Sequence, residues 1–139
     1  MEALSGDARP IPPTSSLLRR VHHFWWVEDK SVLGGRRLSS QAFHPDDTGS
    51  VSIGLGCVLE EAGQPPQAML TDHPGMGLTE LRVEQLATVD NALSVAREPT
   101  DSEPWHGVIL GVRRRPKAAQ KAIEDCLADL GTLQMLVTP

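Results

Sequence analysis

The sequence predicts a single small α+β domain with a mixed sheet of about five strands and two to four helices. Two observations favour this class. Short apolar or alternating segments recur along the chain and are separated by turns rich in glycine and proline, as in sheets. One segment near the C-terminus, residues 116–130, instead repeats apolar residues at helical spacing. A chain of 139 residues is long enough to bury one hydrophobic core.

The N-terminal end of the chain predicts an arm attached to one folded domain. Residues 1–15 are rich in proline, serine and glycine, so we expect a flexible arm or a strap across the surface. The folded domain is expected to span residues 16–139. Its first element is a short strand over residues 17–21, which continues into a loop rich in aromatic residues.

The next elements alternate between strands and turns. The glycine pair at 34–35 marks a turn, and alternating side chains predict a second strand over 37–43. Turn-forming residues at 44–50 end that strand. A strand is then predicted over 51–53, and a short helix over 54–61.

The middle of the chain is less regular. A proline pair begins a helix predicted over 65–72. The segment 78–97 is ambiguous, and its pattern favours a helix over 83–89 followed by a strand over 93–97. Both elements are short, so their type depends on how the rest of the chain packs against them.

The last third gives the clearest pattern. A continuous apolar run at 105–112 is typical of a central strand. Pro116 suits the first turn of the following helix, and Gly131 is placed to cap its C-terminus. A closing strand is predicted over 133–137. The sequence pattern of this strand–helix–strand unit does not determine whether its two strands are neighbours in the sheet.

Composition and charge restrict the function classes. The net charge of −5 disfavours extensive binding of nucleic acid but allows a local basic patch. No apolar stretch approaches the roughly 20 residues that span a bilayer, and the N-terminus does not resemble a secretory signal. Cys57 and Cys126 lie far apart, so we expect reduced, buried thiols. Together these features predict a cytoplasmic protein without membrane contact.

Residues 19–44 hold most of the unusual chemistry of the chain. The segment contains four arginines, three of the five histidines, two of the three tryptophans and both phenylalanines. Aromatic and arginine side chains dominate the energetics of protein interfaces. We therefore expect a small binding or accessory module that contacts a protein partner within a larger bacterial system. Its predicted contact surface includes Phe24, Trp25, Trp26, Arg36 and Arg37.

An enzyme acting on NAD or another nucleotide is the alternative function. An arginine on the first strand, Arg19 or Arg20, offers a planar fork for a phosphate group. A serine on the next strand, Ser39 or Ser40, offers a second donor, and a tryptophan offers a stacking face for a base or nicotinamide. No nucleophile or general base is identified by spacing.

The order of three features resembles RES-domain toxins, which degrade NAD. These features are an arginine on an early strand, a glycine-arginine turn (GGRR) and a glutamate pair on a short helix (LEEA). The early arginine followed by a serine is also similar to ADP-ribosyltransferase-type folds. The resemblance implies that the early arginine holds the phosphates of NAD and that Glu60 or Glu61 supports departure of nicotinamide. The pair Arg37-Leu38 stands where that family usually has Trp-Asn, and the chain has no tyrosine.

A second basic group lies near the C-terminus. Arg113, Arg114 and Arg115 directly precede the predicted C-terminal helix. A helix N-terminus carries unpaired N–H groups and partial positive charge, so these arginines predict binding of a phosphate-bearing ligand. A nucleic-acid-binding module, the third function class, would use them together with Arg36 and Arg37. The acidic net charge disfavours this class.

Two further patterns predict no ligand site. The motif Gly54-Leu55-Gly56 follows a strand, but Leu59 stands where a dinucleotide-binding loop needs its third glycine, so we expect a tight turn or a close backbone contact. The histidines and cysteines lack metal-ligand spacing, and the adjacent His22 and His23 would point to opposite faces if they lay on a strand. We expect no metal and, outside the NAD alternative, no cofactor.

Overall fold

A six-stranded antiparallel sheet forms the centre of the fold in a computed structural model, which describes residues 9–139. In chain order the strands are β1 (Ser16–Val21), β2 (Trp26–Glu28), β3 (Arg36–Leu38), β4 (Val51–Leu55), β5 (Gly77–Arg82), β6 (Ser94–Arg97), β7 (His106–Leu110) and β8 (Met135–Val137). The sheet order is β6-β7-β4-β1-β5-β8, and every neighbouring pair is antiparallel. The strands β2 and β3 form a separate hairpin.

Three α-helices accompany the sheet, and the predicted α+β class is confirmed. They are α1 (Gly56–Glu61), α2 (Val83–Val89) and α3 (Lys117–Leu133). Short 3-10 helices cover His23–Trp25, Ser40–Phe43 and Pro66–Leu70. The helix predicted over 65–72 is therefore a shorter 3-10 turn.

The C-terminal unit β7–α3–β8 crosses most of the sheet. The strands β4, β1 and β5 separate β7 from β8. Because every neighbouring pair is antiparallel, β7 and β8 run in the same direction although they do not touch. The two strands of the predicted unit are thus not neighbours, and α3 covers the face between them.

The main core lies between one face of the sheet and α3. Alternate residues of β1, Leu17 and Val21, face this side together with Ile53 and Ile109 from neighbouring strands. The helix α3 closes the core with a buried apolar stripe that includes Leu127. A smaller cluster covers the opposite face of the sheet and contains Leu18, Leu59, Met69 and Leu78.

The segment after β3 differs from the predicted strand over 37–43. The strand ends at Leu38, whose N–H donates to Thr132 Oγ1 of α3 at 2.9 Å. The following residues form the 3-10 helix Ser40–Phe43. Ala42 and Phe43 are adjacent and both fully buried under α3. A strand would have pointed them to opposite faces, so burial of both favours the turn.

Two other features depart from the sequence expectations. The strand β5 falls in a region for which no strand was predicted, and its residues Leu78, Thr79 and Leu81 are buried on both faces of the sheet. A strand that is buried on both faces shows no alternation of apolar and polar residues in its sequence. Gly131 does not cap α3 but lies inside it, where a Cβ atom would approach Leu38 Cδ1 to 2.9 Å. This glycine therefore permits close packing of the helix.

The segment before β1 lies along the domain. The main-chain carbonyl of Ser15 accepts a hydrogen bond from the N–H of Val83 at 3.1 Å, and that of Pro13 accepts one from Glu84 at 2.9 Å. Residues 1–8 of the expected arm lie outside the described residues. Within residues 9–139, no helix is long and apolar enough to cross a membrane.

Candidate functional site

A cleft opens where β1 and β4 separate. The two strands pair only at Leu17 with Leu55 and at Leu18 with Gly54, whereas β1 pairs with β5 along its whole length. Beyond Leu18 a cavity of about 250 Å3 lies at the fork. Its lining consists of Arg19, Arg20, His22, Trp25, Ser52, Ile53, Met69, His73, Met76 and Trp105. We call this cavity the strand cleft.

Arg19 is the most constrained charged group of the strand cleft. Its Nε donates to the carbonyl oxygen of Ala42 at 2.9 Å and its Nη1 to that of Ser52 at 2.8 Å. The guanidinium carbon lies 5.4 Å from the ring centre of Trp25. Burial lowers the pKa of Arg19 to about 10, although the nearby Asp46 carboxylate acts in the opposite direction, so the group is still charged at neutral pH. Within residues 9–139, no carboxylate lies within 4.0 Å of this charge.

Arg20 borders the same cleft from the other face of β1. Its Nε donates to the carbonyl oxygen of Met69 at 2.7 Å, and its Nη2 forms an ion pair with Glu103 at 2.9 Å. The guanidinium carbon lies 5.2 Å from the ring centre of Trp105. Each arginine is thus held against a tryptophan ring, but only Arg20 has a carboxylate partner.

Aromatic rings surround one side of the strand cleft. The His22 imidazole stacks on Phe24, with ring centres 5.0 Å apart, and meets the edge of Trp25 at 4.4 Å. Burial, followed by the charge of Arg19, lowers the pKa of His22 below its usual value of 6.5. The imidazole is therefore neutral at pH 7 and offers one donor and one acceptor.

The predicted contact surface is only partly exposed. Phe24 is 62% exposed, whereas Trp25 and Trp26 are half-buried and pack against the main core. Arg36 donates to the carbonyl oxygen of Trp26 at 2.6 Å and lies over its ring at 5.8 Å. Arg37 pairs with Asp29 at 2.7 Å. Phe24 is consequently the one residue of this predicted set that offers a large apolar area to a partner.

The six residues of the predicted enzyme site do not come together. They occupy three separate places, namely the strand cleft (Arg19 and Arg20), a depression beside α3 (Ser39 and Ser40) and the region of α1 (Glu60 and Glu61). Glu60 lines a cavity with Cys57 and Ser15, and neither serine lines the strand cleft. The active-site arrangement implied by the RES-domain resemblance is therefore not formed by these residues.

The C-terminal arginines lie at a different cavity. Arg113 donates to the carbonyl oxygens of Asp46 at 2.7 Å and Asp47 at 3.4 Å. Arg114 is half-buried and pairs with Asp90 at 2.8 Å, while Arg115 is exposed. All three arginines line a cavity of about 660 Å3 that shares no residue with the strand cleft.

Several residues of the strand cleft were not predicted from the sequence. Ser52 comes from β4, Met69 and His73 from the 3-10 helix Pro66–Leu70 and the loop directly after it, and Trp105 from the loop before β7. No local pattern distinguishes them, because the order of strands in the sheet brings them to β1. The one usable signal was Trp105, a rare tryptophan that begins the apolar run at 105–112.

The described residues offer no obvious metal centre. Among residues 9–139 no group of three or more histidine, cysteine, aspartate or glutamate side chains is placed to hold a metal ion. Both cysteines are free thiols. Cys57 is half-buried, and Cys126 is exposed on α3 rather than buried as expected, since it lies outside the apolar stripe of the helix.

Comparisons of the chain with protein-family models, curated proteins and solved structures find no match. The likeness to RES-domain toxins rests on the sequence pattern alone. The geometry of the strand cleft is therefore the basis for a functional proposal.

Proposed function

We propose that the protein binds a phosphate-bearing ligand with an aromatic ring, of the nucleotide class, in the strand cleft. The observation that carries this proposal is the charge of Arg19. Its guanidinium is mostly removed from water, donates its hydrogen bonds to main-chain carbonyls and has no carboxylate within 4.0 Å among residues 9–139. The more distant Asp46 carboxylate offsets only part of the cost of burial, because the pKa of Arg19 is still lowered. A buried charge of this kind is costly unless a counter-charge compensates it. A bound phosphate would supply that counter-charge.

The neighbouring groups support a nucleotide over a simple anion. Trp25 and Trp105 line the strand cleft, each with its ring against the guanidinium of Arg19 or Arg20, and tryptophan and arginine side chains are the groups on which bases stack. Main-chain carbonyls fix both guanidinium groups, so little side-chain entropy would be lost on binding. The neutral His22 adds a donor and an acceptor for a sugar or base edge.

The size of the strand cleft limits the ligand. Its volume of about 250 Å3 lies just below the usual range for small-molecule sites. A mononucleotide, or the mononucleotide half of NAD, fits this size better than an entire dinucleotide. Binding of NAD by one half would leave the other half in solvent.

The test is a titration of the protein with AMP, ADP and NAD by calorimetry, with Arg19→Gln as the variant. Charge-assisted hydrogen bonds contribute about 1.5–3 kcal/mol each, so we expect affinity to fall about tenfold or more. Arg36→Gln is the matched control, because Arg36 also lies over a tryptophan ring but outside the strand cleft. Its affinity should equal that of the wild type.

Two results would contradict the proposal. The first is a wild-type protein that binds none of the three nucleotides. The second is an equal loss of affinity in the Arg19 and Arg36 variants. Chromatography of the NAD sample after incubation detects released nicotinamide and thereby separates an NAD-degrading enzyme from a binding protein.

A protein-binding accessory module is the second candidate, and exposure of Phe24 supports it. This ring is 62% exposed and stacks on His22 at the edge of the strand cleft, so a partner could cover both. Exposed aromatic side chains are frequent anchors of protein interfaces. We expect Phe24→Ser to abolish recovery of a stoichiometric partner from host lysate while leaving the unfolding midpoint unchanged. Recovery of the same partner by both proteins would exclude Phe24 as the anchor.

A further inference from the structure

A histidine–glutamate pair lies beside the C-terminal arginines. Glu124 of α3 is buried, with 4% of its surface exposed. One of its oxygens, Oε2, lies 3.0 Å from His44 Nδ1 and accepts a hydrogen bond from Gln120 Nε2 at 2.9 Å. A buried carboxylate needs such hydrogen-bond donors, and the His44 imidazole is one of the two groups that approach it.

This pair fixes how His44 presents its ring. A carboxylate only accepts hydrogen bonds, so the Nδ1 atom of His44 carries a proton. The Nε2 atom then remains for a ligand. Half of the His44 side chain, 51%, is exposed, and the residue lines the cavity of about 660 Å3 described above. We call this cavity the basic cavity.

Positive charge dominates the basic cavity. Arg113 donates to two main-chain carbonyls, and Arg115 and Lys117 have no carboxylate partner among residues 9–139. Arg114 differs, because Asp90 pairs with it. Such a concentration of cations is unusual in a chain whose net charge is −5.

The acidic groups that face His44 are few. Glu124 approaches it from α3, and Asp46 and Asp47 follow it in its own loop. The Asp46 carboxylate already accepts hydrogen bonds from Thr48 and Ser50. The basic groups facing the same space come from the loop before α3 and from its first residue, and they are Arg113, Arg114, Arg115 and Lys117.

We propose that the basic cavity binds a tetrahedral phosphate dianion, with His44 protonated and donating from Nε2 to the ligand. In this state the imidazolium donates from Nδ1 to Glu124 and from Nε2 to the phosphate, so both nitrogens are satisfied. Arg113, Arg115 and Lys117 neutralise the remaining charge. The basic cavity shares no lining residue with the strand cleft, so this site is independent of the proposed nucleotide site.

The proposal predicts that binding takes up a proton. The ligand prefers the protonated form of His44, and by linkage it must then raise the midpoint of the His44 titration. Arginines alone would bind the same anion without this effect, because they stay charged at all accessible pH values. Proton uptake therefore distinguishes the proposed site from a general basic patch.

The experiment is an NMR titration of the histidine ring signals of the full-length protein against pH. It compares saturating sulfate with chloride at equal ionic strength. Sulfate is the first probe because, unlike phosphate, it does not itself take up protons near neutral pH. We expect the His44 midpoint to rise by about half a pH unit or more in sulfate, which corresponds to roughly threefold tighter binding to the protonated form.

His106 provides a matched control in the same spectra. Its Nδ1 atom also lies near a glutamate, at 3.7 Å from Glu98, but it is outside the basic cavity and should not respond. Arg115→Gln should reduce the His44 response. Equal shifts of His44 and His106, or no shift of His44, would overturn the proposal. Inorganic phosphate and glycerol phosphate as further probes then show whether a free anion or a phosphate ester binds more tightly.

Discussion

The contact between Gly54 and Met69 allows a quantitative test of how the strand cleft is built. A Cβ atom on Gly54 would lie 2.3 Å from the Met69 sulfur and 3.1 Å from Trp105 Cε3. Favourable contacts need about 3.5–4.0 Å, so in Gly54→Ala the end of Met69 must move by roughly 1.5 Å. Met69 and Trp105 both line the strand cleft. We therefore expect the variant to reshape the cleft as well as to lose stability.

The energies follow from this geometry. Overpacking makes Gly54→Ala less stable by about 1–3 kcal/mol, and loss of the buried Met69 side chain in Met69→Ala costs about 2–5 kcal/mol. In the double variant the methyl group introduced at position 54 occupies space that the Met69 side chain has left. The destabilisation of the double variant should be smaller than the sum of the single values by at least about 1 kcal/mol.

Urea unfolding followed by tryptophan fluorescence measures all three free energies. If the destabilisation of the double variant equals the sum of the single values within about 0.5 kcal/mol, the reasoning is refuted. Such a result would mean that the methyl group added at position 54 and the Met69 side chain do not compete for space. Nucleotide affinity is the second readout, and Gly54→Ala should lower it about tenfold. Gly131→Ala is the control, since it crowds Leu38 and Phe43 on the α3 side and should lower stability without changing affinity.

Three further predictions concern stability. Leu127 is fully buried, so Leu127→Ala should cost about 2–5 kcal/mol in urea unfolding. Burial and then the charge of Arg19 lower the pKa of His22 in the folded protein, so the unfolded chain binds more protons. The free energy of unfolding should therefore fall as pH drops through about 6.5. In His22→Asn this fall between pH 7 and 5 should be smaller. A hydrogen bond from the Thr48 side chain lowers the pKa of Asp46 in the folded protein. The ionised Asp46 therefore stabilises the fold above pH 3.8, and this stabilisation is lost on further acidification. In Asp46→Asn the free energy of unfolding should depend less on pH in the acid range.

The local sequence pattern predicted the elements in which buried apolar residues recur at the spacing of a helix or a strand. The helix α3 and the helix Val83–Val89 appear where apolar spacing indicated them. The strand β5 was missed because it lies inside the sheet between β1 and β8, where both faces are covered and no alternation remains. Gly131 was misread because its role depends on Leu38, a residue far away in sequence.

The strand cleft shows why the site was harder to predict than the fold. Arg19, Arg20, His22 and Trp25 belong to one rare cluster, and the sequence identified them. Their partners could not be identified in the same way. Trp105 reaches the cleft because β7 lies next to β4 and its N-terminal end continues toward Arg20, a consequence of sheet order and not of any local motif.

Arg19 and Arg20 are neighbours on one strand and yet line the same cavity. Adjacent residues of a strand point to opposite faces, so in a closed sheet these two arginines would serve different surfaces. They share a cavity because β4 stops pairing with β1 after Leu18. The Arg19 side chain then bonds the Ser52 carbonyl on β4, across the gap between the strands. The opening between β1 and β4 is therefore the structural feature on which the proposed nucleotide site depends.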